Sequence, residues 1–201
     1  DVYKRQEIRF DKRKAAGILQ IGIPSAFQYS LFAFANLFVQ SSVNSFDHIL
    51  VEGNSAAANA DPLVYDMMAA FYTACSSFIA QNFGARKKKR ILQTYLICLF
   101  YSFITSLVLG VGIYLARYPF LYLFTSDKAV VEAGITRLSI MALSYSASAF
   151  MDASIAASRG LGKTAVPTFV VVMGSCVFRI IWIYTIFAYF HTIQSLYILY
   201  V

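Results

Sequence analysis

Apolar residues come in runs too long for a water-soluble core, and the charged residues are gathered into a few short blocks between them. Residues 15–46 hold 32 positions without one Asp, Glu, Lys or Arg, about 48 Å of helix at 1.5 Å per residue. That exceeds the roughly 30 Å hydrocarbon core of a bilayer, so the segment must tilt, bend or protrude, and Pro24 after Gly22 is the expected kink. Residues 61–84 form a second apolar stretch that runs straight into the basic block ARKKKR at residues 85–90. The pattern predicts helices over about 15–46, 49–83, 90–116, 128–158 and 164–190, with a sixth beginning near 195. The fold class is all-α and polytopic: five transmembrane helices plus the start of another. Barrel strands would be about 10 residues each and alternate in polarity.

Local chemistry marks the joints. The first half of the second helix, GNSAAANA, is rich in small residues that let helices approach closely. Asp61-Pro62 is expected to break that helix, since the residue before proline avoids the α region, and Asp61 can cap the part that resumes. YPFLYLFT (residues 118–125) has the aromatic character of an interfacial segment. Asp127 opens the fourth helix, Thr164 can cap the fifth, and Pro167 fits its first turn.

Composition narrows the classes. Charged residues are 13% of the chain, against about 25% in soluble domains. The net charge of +7 does not point to nucleic acid, because the cations do not line one face with stacking aromatics between them. They act as topology signals instead. One face of the predicted bundle receives eleven Lys and Arg, from residues 9–14, 86–90, Arg159 and Lys163. The other receives Arg117 and Lys128, with Arg137 deeper in a helix. The positive-inside rule puts the N-terminal end in the cytoplasm. Cys75, Cys98 and Cys176 lie in three different apolar runs, without the spacing of a zinc site or disulfide framework, and read as core-packing residues. GLGKT at residues 160–164 lacks the first glycine of a phosphate-binding loop, since Ala157 stands at that position. The only histidines, His48 and His191, fall in turns, and no nucleophile-and-base constellation supports an enzyme. No cofactor is implied. Residues 1–6, DVYKRQ, resemble a translated sequencing adapter and are set aside; the chain reads as a piece of a longer protein.

Polar groups within the spans carry the functional signal. Gln28, Asn36, Gln40 and Asn44 recur at spacings of 8, 4 and 4 and read as one stripe. Such a stripe either glues helices together or lines a wet cavity, and four amides exceed what glue requires. Asp152 is the deepest acid: a cation or proton site, or an ion-pair partner for Arg179 on the next helix. Arg179 itself reads as a structural charge anchoring the fourth helix to the fifth. Asp66 faces either the cavity or outer-leaflet water.

The order of LQIGIPSAFQYSLFAFANLFVQSSVNSF (19–46), AQNFGARKKKRI (80–91), LFTSDKAVVEAG (123–134) and SRGLGKTAVP (158–167) resembles the carboxy-terminal half of a bacterial multidrug and toxic compound extrusion (MATE) transporter, from about residue 7 onward. The resemblance implies one six-helix lobe of a twelve-helix protein in the bacterial inner membrane, facing a missing N-terminal six-helix lobe across a central cavity. It implies secondary antiport of small organic cations or amphipathic drugs against Na⁺ or H⁺, with Asp152 as the coupling acid. The acid some members carry in the first helix of this lobe is absent here. Asp66, Asn36, Gln40 and Asn44 would line the cavity, and Pro24, Asp61 and Pro62 would let the helices bend. A lipid-linked oligosaccharide flippase of the same superfamily is the nearest alternative, and a non-transporting membrane scaffold a second.

Overall fold

The computed structural model describes residues 11–199; the set-aside hexapeptide, Arg9 of the first basic cluster and residues 200–201 lie outside the described residues. Among these residues there is no strand. Helix α1 is Lys12–Val43, α2 is His48–Gly84, α3 is Lys88–Leu115, α5 is Lys128–Gly160 and α6 is Ala165–Phe190, and all five are long and apolar enough to cross a membrane. Two short helices, α4 (Arg117–Tyr122) and α7 (Ile193–Ile198), complete the order. In a bilayer no water reaches the backbone, so helices that satisfy their own amides are the natural outcome of these apolar runs.

Helix ends follow the polar residues. Asp11 caps α1, accepting from the Arg13 and Lys14 amides at 2.9 and 3.3 Å. Asp127 opens α5, accepting from the Ala129 amide at 2.8 Å. Thr164 precedes α6 but is buried and makes no capping bond. Pro167 sits in the first turn of α6, where its missing N–H costs nothing. Gly162, at φ +76°, ends α5 with the Lys163 amide bonded back to the Ser158 carbonyl, a Schellman turn that only a residue tolerating left-handed backbone makes cheaply. The GLGKT run is thus a helix terminus.

The prolines act differently from one another. Helix α1 passes through Pro24 without interruption. Helix α2 is interrupted at Asn59, between the segments His48–Ala58 and Ala60–Gly84, three residues before Pro62. Proline disrupts the turn preceding it: it lacks the N–H that would bond the Ala58 carbonyl, and its ring crowds that carbonyl. Asn59 repairs the joint, its side-chain amide donating to the Ser55 and Ala56 carbonyls at 3.1 and 3.2 Å. Asp61 makes no cap there; its carboxylate is used elsewhere. Helix α6 contains two stretches of wider i→i+5 turns, Val172–Val177 and Ile183–Phe187, on either side of Arg179.

The helices assemble in two groups. Helix α5 is the pivot of the first and packs against α2 and α3. Ala57 and Leu138 form one cluster with Leu121 of α4, Val64, Met68 and Tyr145 a second, and Cys75, Ile79 and Ala156 a third at the basic end. Small residues set the approach: a Cβ on Gly53 would lie 2.7–2.8 Å from Ala133, Gly134 and the Val130 carbonyl, and one on Gly110 would collide with the Ala142 carbonyl. The second group is α1, α6 and α7, joined through Val43, Phe187 and Leu196 and by the Trp182 indole donating to the Ser195 carbonyl at 3.0 Å. The three cysteines are free, with Cys75 and Cys176 buried. Overpacking the α3–α5 crossing with Gly110→Val is expected to destabilise the fold by about 1–3 kcal/mol, read as a lowered Tm in detergent micelles, whereas Gly112→Val, with open space at its Cβ, shifts it little.

Candidate functional site

A seam of polar side chains runs between α2 and α5 and at its lower part reaches α1 and α6 of the second group. On α5, Arg137, Tyr145, Ser148, Asp152 and Arg159 are separated by 8, 3, 4 and 7 residues, which at 100° per residue confines them to about 80° of the helix surface. On α2, Asp61, Tyr65 and Tyr72 share one face in the same way. The two stripes face each other, and α1 and α6 contribute from the side.

At the upper end of the seam Arg137 and Asp61 form a salt bridge at 2.6 Å, with Arg137 only 3% exposed and Asp61 23%. The same guanidinium donates to the Asn54 carbonyl at 3.1 Å, so it grips α2 on both sides of the Asn59 interruption. The Tyr145 hydroxyl donates to the other Asp61 oxygen at 2.5 Å. Asp61, expected only at a break, is therefore the acceptor of a buried network. Neither member of this pair stands out locally, because 76 residues separate them. The readable signal was the shared face of Asp61 with Tyr65 and of Arg137 with Tyr145.

The seam continues below this network. The Tyr65 hydroxyl lies beside Ser148 and within electrostatic reach of Asp152 and Arg179. Asp152 is half-buried and lines a narrow cleft with Tyr72, Cys98 and Ser102. Among the described residues it makes no hydrogen bond and no ion pair; the charge of Arg159, two turns along the same helix, acts on it. One carboxylate of the seam is fully engaged and the other is available.

The arginines of the lower seam reach α1. Arg159 donates to the Gln28 amide oxygen at 3.0 Å, an oxygen that also accepts from the Thr168 hydroxyl at 3.2 Å, and it sits 5.6 Å from the ring centres of Tyr29 and Tyr72. Arg179 donates to the Asn36 oxygen at 2.7 Å and lies 4.7 Å over the Phe32 ring. This hydrogen bond of Arg179 joins α6 to α1.

The amide stripe of α1 divides. Each four-residue step advances about 40° beyond a full turn, so Asn44 lies about 160° round the helix from Gln28. Gln28 is buried, Asn36 and Gln40 are half-buried and Asn44 is exposed; Gln40 donates to Asn44 at 3.0 Å. Gln28 and Asn36 join helices, while Gln40 and Asn44 pair along the helix surface. Asp66 is exposed on α2 and makes no hydrogen bond or ion pair among the described residues. Pro24 is half-buried in the α1 turn that leads to Gln28, and exposed Pro62 follows Asp61.

The MatE family model matches residues 24–185. No curated protein matches the sequence. Among solved structures, one described as a crystal structure of a MATE P26A mutant is similar at a TM-score of 0.84 and 18% identity, covering 98% of this chain and 44% of that one. A MOP superfamily transporter from Pyrococcus furiosus, described as having a binding pocket of reverse polarity, gives a TM-score of 0.73 at 21% identity, covering 92% of this chain and 40% of that one. An outward-facing multidrug resistance MATE family transporter gives 0.69 at 22% identity, with coverage of 92% and 40%. The chain thus spans less than half the length of the structures it matches.

Removing one partner of the buried pair leaves an uncompensated charge. Asp61→Ala is expected to cost about 3–5 kcal/mol, and the double change Asp61→Leu with Arg137→Met much less. Thermal unfolding of the purified variants in detergent measures both; equal losses would show that the pair does not act as a unit.

Proposed function

Because the chain belongs to the MatE family, we propose that it is one lobe of a secondary active transporter in the bacterial inner membrane, completed by an N-terminal six-helix lobe. The transporter exports small organic cations or amphipathic drugs in exchange for Na⁺ or H⁺. Asp152 binds the coupling cation, and the substrate cation competes with it by charge exclusion. Coupling follows if the two ligands favour opposite access states, since a ligand moves an equilibrium only by its differential affinity. The observation that carries the reading is the contrast between the two seam acids: Asp61 is saturated by Arg137 and Tyr145, whereas Asp152 keeps its carboxylate free of hydrogen bonds and ion pairs at a depth where an idle ionisable group is costly. On this reading Asn36, Gln40, Asn44 and Asp66 line the cavity shared with the other lobe, and the joint at Asn59–Pro62 with the turn at Pro24 lets helices bend. The likeness to a multidrug resistance transporter supports the drug class.

A second reading is favoured by the arginines. Arg137, Arg159 and Arg179 all reach the seam, and the latter two each donate to a neutral amide on α1. A cationic seam suits an anionic substrate such as a lipid phosphate, as in a lipid-linked oligosaccharide flippase, and the reverse polarity described for the Pyrococcus furiosus transporter keeps that option within the superfamily.

Ethidium extrusion by the whole gene in an efflux-deficient bacterium decides between them. Wild type is expected to extrude ethidium under an imposed Na⁺ or pH gradient, and Asp152→Asn at matched membrane levels to lose at least about 90% of the initial rate, a tenfold change for about 1.4 kcal/mol. Extrusion untouched by Asp152→Asn would move the ion site out of this lobe. Absence of extrusion from wild type would turn the assignment to the flippase.

A further inference from the structure

At the basic end, outside the seam, α2, α3 and α5 enclose an open groove of about 460 Å³. Its walls are Ile79 and Phe83 on α2, Ile91 and Tyr95 on α3, and Ala157 on α5 with Leu161 just past its end. It exists because α5 meets α2 very closely, a Cβ on Gly160 falling 2.7 Å from the Ser76 carbonyl, while small Ala157 leaves space toward α3. Almost all of the lining is apolar. The polar exceptions are Lys88 at one end and, seven residues further along α3, the Tyr95 hydroxyl 3.2 Å from that of Ser154. Seven residues of helix place these ends roughly 10 Å apart.

The groove mouth is strongly cationic. Lys88 is the centre of five consecutive basic residues, 86–90, and Lys163 follows Leu161 by two positions on the opposite wall. All six are exposed. Neither residues 79–92 nor residues 154–163 contain an acid, so nothing in the two segments that build the groove neutralises them. Arg86 is held at φ +56°, an uncommon conformation for a residue with a side chain, in the tight turn that leads from α2 into α3, whose first residues are Lys88, Lys89 and Arg90. Phe83 and Leu92 stand exposed along the rim. An open apolar groove beside a cluster of cations on a membrane-spanning bundle is complementary to an acyl chain bearing an anionic phosphate headgroup.

We infer that this groove binds an anionic glycerophospholipid of the cytoplasmic leaflet, with one acyl chain lying between α2, α3 and α5 and the phosphate against Lys88 and its basic neighbours. The site is separate from the seam, since Ser154 and Ala157 leave α5 on a different face from Asp152 and Arg159. A lipid seated there fills the wedge at the α2–α3 joint and so holds the basic ends of those helices at a fixed separation.

Native mass spectrometry of the intact chain in detergent, with added phosphatidylglycerol or phosphatidylcholine of identical acyl chains, tests this. Wild type is expected to retain phosphatidylglycerol preferentially. Lys88→Gln, a change at an exposed position, should weaken phosphatidylglycerol about fivefold and leave phosphatidylcholine unchanged. Ala157→Phe, which fills the groove, should weaken both lipids. Circular dichroism and gel filtration matched to wild type show that each variant is folded; should Ala157→Phe fail this check, Lys88→Gln alone decides. Glycerol phosphate, a headgroup without a chain, should not displace the bound lipid. Equal retention of the two lipids by wild type, unchanged retention by Lys88→Gln, or displacement by glycerol phosphate would each overturn the assignment.

Discussion

The grip of Arg137 on both halves of α2 is the contact on which the arrangement rests. Pro62 withholds one N–H from the preceding turn, and a helix interrupted inside a membrane has no water to repair it. Asn59 covers two of the loosened carbonyls from within the helix, and Arg137 reaches across from α5 to take the Asn54 carbonyl and the Asp61 carboxylate. The guanidinium suits the task because its planar fork presents several donors at fixed angles and keeps its charge when buried. With α2 and α5 locked in register at one end by this contact and at the other by the close approach at Gly160, Tyr65 must lie beside Ser148, and Asp152 must open into the narrow cleft below.

The seam treats its charges unequally. Two of its ionic groups neutralise each other and are tied further by a tyrosine hydroxyl. Arg159 and Arg179 instead draw on the side-chain amides of α1, which satisfy a donor without supplying a negative charge. Of these two, Arg159 is the one whose charge acts on Asp152. In the transport cycle proposed for this lobe, a positive charge near the carboxylate would make a bound cation easier to release, and such a cycle requires release as much as affinity.

Much of this fold was legible because membrane burial writes itself locally. Uncharged runs longer than a bilayer is thick, basic blocks between them, Asp127 before an apolar stretch and Pro167 within a first turn each depend on neighbouring residues alone. The site was legible in part. Asp152 was visible as an acid in an apolar context, but the partner of Asp61 lay 76 residues away, and contacts between helices leave no trace in spacing. The interruption of α2 was sensed at the right proline and placed a turn late, because the steric effect of proline falls on residues before it. The amide stripe of α1 failed for a geometric reason: four is not a helical period, and over sixteen residues the drift carries Asn44 to the side opposite Gln28.

The wide turns of α6 have a consequence for comparing this chain with its relatives. An i→i+5 turn holds one residue more than an α turn, so each stretch stores an insertion without breaking the helix. Arg179 lies between the two. A relative with a regular helix here would reach the same face with fewer residues. An alignment drawn without gaps through this helix would then set Arg179 opposite a residue from a different face.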